Sequence, residues 1–219
     1  LETISLEEYE ETLASATLVP SRQMLKDSIS ERFTSIRNAG ISNLAELQKA
    51  LKTKKKLQAF AKETGLSEDY LKVLNREVNA NVPKPIKLRD LPEVSEDTLV
   101  RFQKAGITDT KQLFERVLTP KSRCELSAET GLDETIVTRL TKLTDLGRIR
   151  WVNHTFAHVL YEAGYETVKH VLEADPDEMY ETVKTMNQER KLYKGNIGLS
   201  DMKLLVELAQ FVPLDIEYS

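Results

Sequence analysis

Cysteine and tryptophan each occur once, as Cys124 and Trp151, and glycine and proline are scarce at 8 and 7 residues. A single cysteine excludes an internal disulfide, which fits a reducing compartment and an expected cytoplasmic location. Few glycines and prolines leave long stretches free to be helical, and nowhere do residues alternate as a half-buried strand requires. No apolar run reaches the roughly 18 residues of a membrane-crossing helix, so no membrane partner is expected. No paired cysteines, phosphate loop or nucleophile–base arrangement stands out, so neither an enzyme nor a cofactor is expected. The chain opens on Leu1, so residues ahead of it are expected, which leaves a cleaved signal or lipid anchor open.

What is present is a chain 40% hydrophobic and 30% charged, the composition of a folded protein and not of a disordered one. Its net charge of −4 conceals an asymmetry. Residues 1–20 hold five acids and no bases (−5), residues 21–89 hold 15 bases and 7 acids (+8), and the remainder holds 16 bases and 23 acids (−7). A basic segment between acidic ones points to a polyanionic partner, or to segments that neutralise one another in the fold.

Helix punctuation runs along the whole chain. Ser5 with Glu8 forms a capping box ahead of the stripe Leu6, Tyr9 and Leu13, and Ser28 with Glu31 is expected to form a second ahead of Ile29, Phe33 and Ile36. Gly40, Gly65, Gly106, Gly131 and Gly164 stand where left-handed C-terminal caps are wanted, with Ser42 or Asn43 restarting the helix after Gly40. Thr119-Pro120 and Asp175-Pro176 each set a capping side chain before a proline suited to the first helical turn. Tyr193 to Gly198 is expected to be a turn before a cap at Ser200. The expected class is all-α.

Internal repetition adds a plan. Ala39-Gly40-Ile41 recurs 66 residues on as Ala105-Gly106-Ile107, and at the same offset Glu63-Thr64-Gly65-Leu66 recurs as Glu129-Thr130-Gly131-Leu132. Leu47, Leu51, Leu71 and Leu74 then fall on Leu113, Val117, Val137 and Leu140. A weaker copy begins at Ala163-Gly164-Tyr165, offset by 58 from the second. Repeats of this length mark stacked supersecondary units. The expected organisation is an acidic helix over 1–20, a basic helical unit over 21–82, units over 83–147 and 148–212, and a tail over 213–219. Val82-Pro83-Lys84-Pro85 is the expected linker, because two prolines stop a helix and stiffen the chain.

Leu91-Pro92-Glu93-Val94-Ser95, followed by Leu99, Phe102 and Ala105-Gly106-Ile107, resembles a helix–hairpin–helix motif. Ile149-Arg150-Trp151-Val152-Asn153, with Ala157, Leu160 and Ala163-Gly164-Tyr165, looks like another copy. The stretch from Leu143 to Ile149, followed by that copy and by Asp175 to Leu192, is similar to a bacterial-type family catalogued only as a domain of unknown function. The resemblance implies tandem degenerate helix–hairpin–helix, or SAM-like, units over residues 21–212. In such motifs two glycines let backbone N–H groups approach a phosphate without base readout. Here those positions read Glu93 and Ser95, then Trp151 and Asn153, and the first unit has no glycine around Asp27-Ser28-Ile29. Glu93 puts negative charge where phosphate would sit, and Trp151 blocks close approach, so the resemblance implies the fold more than the binding.

Several residues remain as candidates. Lys52, Lys54, Lys55 and Lys56 lie at a helix start near Thr53, where cations oppose the helix dipole at about 0.3–1 kcal/mol each. That placement suits an anion; the plainer readings are a solvated charged face, or pairing with the acidic N-terminal helix. Lys84, Lys87 and Arg89 extend the basic segment, while Phe60 and Tyr70 read as core and not as stacking platforms. His154, His158 and Glu162 share a helix face at four-residue spacing, a spacing that can hold zinc, with His170 a distant fourth; surface or capping roles are the expectation. Cys124 is expected to be a buried thiol, and Trp151 to plug the junction between units. The expected function is a non-enzymatic helical binding module, with DNA or RNA met by the four lysines as phosphate contacts. The alternative is a protein-interaction scaffold whose hairpins no longer meet phosphate.

Overall fold

The computed structural model describes residues 4–18, 20–80 and 84–219. It is all-α: among the described residues there is no strand, and none of the helices is long and apolar enough to cross a membrane. The chain divides into two compact units, Leu1–Val82 and Pro83–Ser219, each with its own apolar core. Val82 and Pro83 of the expected linker lie outside the described residues.

In the first unit the helices are α1 (Leu6–Ser15), α2 (Ile29–Asn38), α3 (Leu44–Leu51), α4 (Lys54–Thr64) and α5 (Glu68–Ala80), with a 3-10 segment at Pro20–Leu25. The Ser5–Glu8 capping box forms in both directions, at 2.9 and 3.1 Å. Asn43 opens α3 by accepting from the Glu46 N–H, and Thr53 opens α4 by accepting from that of Lys56. Ser28 departs from expectation: it makes no side-chain cap bond, because its own backbone is left-handed at φ 47°. A left-handed residue points its side chain away from the first-turn N–H groups that an extended cap residue reaches. Leu6, Phe33, Ile36, Leu44, Leu71 and Leu74 are fully buried in this core.

The second unit holds a 3-10 turn at Leu88–Asp90, then α6 (Glu96–Lys104), α7 (Thr110–Phe114), α8 (Pro120–Thr130), α9 (Glu134–Leu146), α10 (His154–Glu162), α11 (Val168–Leu172), α12 (Pro176–Arg190) and α13 (Leu199–Ala209). Thr119 and Asp175 cap α8 and α12 ahead of their prolines. The last helix opens on Gly198, whose N–H donates to Asp201, so it starts before the Ser200 expected from sequence. Helix bounds keep the sequence spacings: α8 and α9 begin and end 66 residues after α4 and α5, and α10 and α11 follow α6 and α7 by 58.

One hydrogen bond varies at matching positions. The Leu44 N–H donates to the Ile4 carbonyl at 3.1 Å, and the Thr110 N–H to the Ile86 carbonyl at 2.8 Å. At Val168 the acceptor is the Asp145 side chain, at 3.1 Å. Asp145 is 4% exposed and also accepts from Arg148 and from the Tyr218 hydroxyl. Burial raises its carboxyl above the usual range, against the lowering effect of the Val168 N–H and of Arg148. Burial likewise raises the Tyr218 hydroxyl, as does the charge of Asp145. The segment 213–219 is therefore fastened to the unit. Arg148 binds the Pro213 carbonyl and Asp215, and the Glu217 N–H meets the Leu118 carbonyl at 2.8 Å.

Candidate functional site

Lys52, Lys54, Lys55 and Lys56 are all exposed, on the Lys52 cap residue of α3 and the first turn of α4, which contains no acid. Among the described residues none of the four has an ion-pair partner. Of the acids on α1, Glu7 and Glu10 pair with Arg37, and Glu8 accepts from the Ser5 N–H. Lys56 borders a shallow hollow with Ile41, Phe60, Glu46 and Glu63, so two carboxylates stand near one end of the lysine row. Phe60 and Tyr70 are core residues, at 5% and 1% exposure.

The second constellation lies in the Pro83–Ser219 unit. His158 and Glu162 face one another one turn apart on α10, with His158 Nε2 3.4 Å from Glu162 Oε1. The third member is Glu93, which places an oxygen 3.9 Å from the same nitrogen, and the three ligand atoms lie within 4.8 Å of one another. His154, paired with them by spacing, is not in this group, and neither is His170, whose Nδ1 accepts from the Glu166 N–H. His158 is 4% exposed and its Nε2 has no hydrogen-bond partner. Burial holds the imidazole below its ordinary pKa, against the raising effect of Glu162 and Glu93. Each carboxylate commits its other oxygen to an arginine, Glu93 to Arg139 at 2.8 Å and Glu162 to Arg190. Sequence reasoning misses Glu93 as a partner of His158; only the packing of the segment before α6 against α10 joins them.

Glu93 and Trp151 are both left-handed, at φ 61° and 72°, in the segments that precede α6 and α10. Such φ values are uncommon outside glycine and rarer still for bulky side chains. Trp151 is 48% exposed, which overturns its expected role as a plug. Its left-handed backbone turns the ring outward, where the Arg150 guanidinium stacks on it at 4.6 Å. It borders a cavity of about 200 Å³ lined by Phe156, Tyr193 and Leu205 and also by the polar Asn153, Asn196 and Asp201. Cys124 is exposed and not buried, because Arg123, Leu126 and Thr130 take the inward face of α8.

The model of the family described as "Domain of unknown function (DUF4332)" matches residues 92–211, within the span of the expected resemblance. No curated protein and no solved structure matches the chain.

Proposed function

The chain belongs to the DUF4332 family, and from that premise, which carries no activity, we propose a non-enzymatic binding module of helix–hairpin–helix-like units that meets nucleic acid through the basic first unit. The observation that carries this reading is the row Lys52, Lys54, Lys55 and Lys56, exposed and without ion-pair partners among the described residues. Cations held at a helix start oppose its dipole, so an anion bound there relieves two unfavourable fields together. The contact is with phosphates and carries no sequence preference. The left-handed Glu93 and Trp151 support the hairpin reading, since glycine positions of such motifs adopt this conformation.

The test is fluorescence anisotropy with labelled duplex and single-stranded DNA at about 50 mM salt, where phosphate contacts are strong. If all four lysines neutralise phosphates, log K falls against log salt with a slope of about −3 to −4. Replacing the four by glutamate abolishes binding. Failure of both nucleic acids to bind at low salt overturns the reading.

A second reading, a protein-interaction scaffold, is favoured by Trp151. An exposed tryptophan beside a cavity of mixed polar and apolar lining is the kind of anchor that protein partners bury. It predicts a co-purifying protein whose retention survives the four lysine substitutions and is lost in Trp151→Ala.

A further inference from the structure

We infer that Glu93, His158 and Glu162 form a binding site for one divalent cation of the zinc or cobalt class. The site lies apart from the lysine row and stands or falls independently of the nucleic-acid reading.

Three features converge. First, a buried imidazole nitrogen is an expensive group to leave without a partner. His158 Nε2 has none, although its side chain is 95% covered, and the two atoms it faces are carboxylate oxygens at 3.4 and 3.9 Å. The nitrogen is turned toward both carboxylates yet hydrogen-bonds to neither, and a cation among the three atoms gives each of them a partner. Second, the carboxylates are oriented from behind. Arg139 holds Glu93 Oε2 and also donates to the Pro92 carbonyl, and Arg190 holds Glu162 Oε2, leaving each Oε1 turned to the histidine. Outer-shell partners of this kind fix the direction of metal ligands. Third, the spacing suits a small ion. In a tetrahedral zinc site with bonds of roughly 2.0–2.2 Å, ligand atoms stand about 3.4 Å apart. The His158–Glu162 separation is at that value already, and the His158–Glu93 separation exceeds it by about half an ångström.

The donor set decides the class of ion. Imidazole nitrogen suits zinc and its neighbours in the first transition row, whereas magnesium and calcium take oxygen ligands. Three protein ligands leave a fourth position. Glu93, 57% exposed in its side chain, forms the solvent side through which the ion enters and a water completes the coordination. The two arginines balance the two glutamates, so the ion is held by short coordinate bonds and not by a surplus of negative charge. This separates the site from an exposed acidic cluster that collects cations loosely.

The experiment uses the full chain, stripped with chelator and titrated with zinc and with cobalt by calorimetry, cobalt being followed also by its visible absorption. Expected are one ion per chain, a tetrahedral cobalt spectrum and a higher melting temperature in zinc. Glu93→Gln and Glu162→Gln each weaken binding at least tenfold, while His154→Ala leaves it unchanged. Because His158 is packed in the core and its replacement disturbs that packing, Glu93→Gln, at an exposed position, is the deciding variant, with circular dichroism confirming its fold. No saturable uptake of either ion up to about 1 mM, a concentration that detects even weak binding, overturns the inference. So does uptake that Glu93→Gln leaves intact or that His154→Ala removes.

Discussion

A glycine with positive φ is worth most where its missing Cβ also leaves room for a neighbour. Gly65 and Gly131 end α4 and α8 with the same left-handed geometry, at φ 73° and 66°. A Cβ on Gly65 meets nothing within 4 Å, whereas one on Gly131 stands 3.0 Å from the Arg101 guanidinium. That guanidinium donates to the Gly131 carbonyl at 3.1 Å. Gly65→Ala therefore carries only the left-handed cost, about 1 kcal/mol. Gly131→Ala carries the same cost and also displaces Arg101, so urea denaturation gives it the larger loss of stability. Equal losses for the two sink this account of Arg101.

Asp145 shows how a side chain takes over a backbone task at the scale of an element. At α3 and α7 a main-chain carbonyl receives the opening N–H of the helix; at α11 the acceptor is a carboxylate from the end of α9. That carboxylate also gathers Arg148 and Tyr218, so one group joins α9, α11 and the segment 213–219. Asp145→Ala strands the buried Val168 N–H and takes from Arg148 one of its two carboxylate partners, a loss of about 1–3 kcal/mol. Tyr218→Phe removes one donor to the same acid and costs about 1–3 kcal/mol. In the double variant the two losses do not add, because both report one network. Additive losses in denaturant melts mean that Tyr218 acts elsewhere.

Legibility in the sequence tracks the range of the interaction. Caps at Ser5, Asn43, Thr119 and Asp175 are readable because donor and acceptor lie within three residues. Ser28 defeats the same reasoning because a left-handed φ is not written in a serine. Cys124 defeats it because the inward face of α8 belongs to Arg123, which donates to the Val117 carbonyl and lies under the Tyr218 ring. No local pattern predicts an arginine held there by a distant tyrosine. Of the acid–histidine cluster, the pair on one helix is visible from its spacing, and Glu93 is not, since it reaches His158 only through tertiary packing.

At the scale of the whole molecule, the two cores draw on separate stretches, from Leu6 to Val78 and from Leu88 to Ala209. A domain with its own core and internal hydrogen bonds folds without its neighbour. Residues 84–219 expressed alone are expected to keep a helical circular-dichroism spectrum and a cooperative thermal transition. A fragment that is unfolded or melts without cooperativity shows that the first unit supplies part of its stability.

Position 93 has a consequence for how such a protein changes its chemistry. The left-handed backbone there is a geometry that, with glycine, bares N–H donors to whatever approaches, and donors select anions. With glutamate the same turn offers an acceptor instead, aimed at a buried histidine. On the cation site inferred above, the exchange of one residue reverses the polarity of the ion the loop would prefer while leaving the path of the chain alone. A lineage can cross from one ligand class to its opposite here without rebuilding the scaffold that presents it.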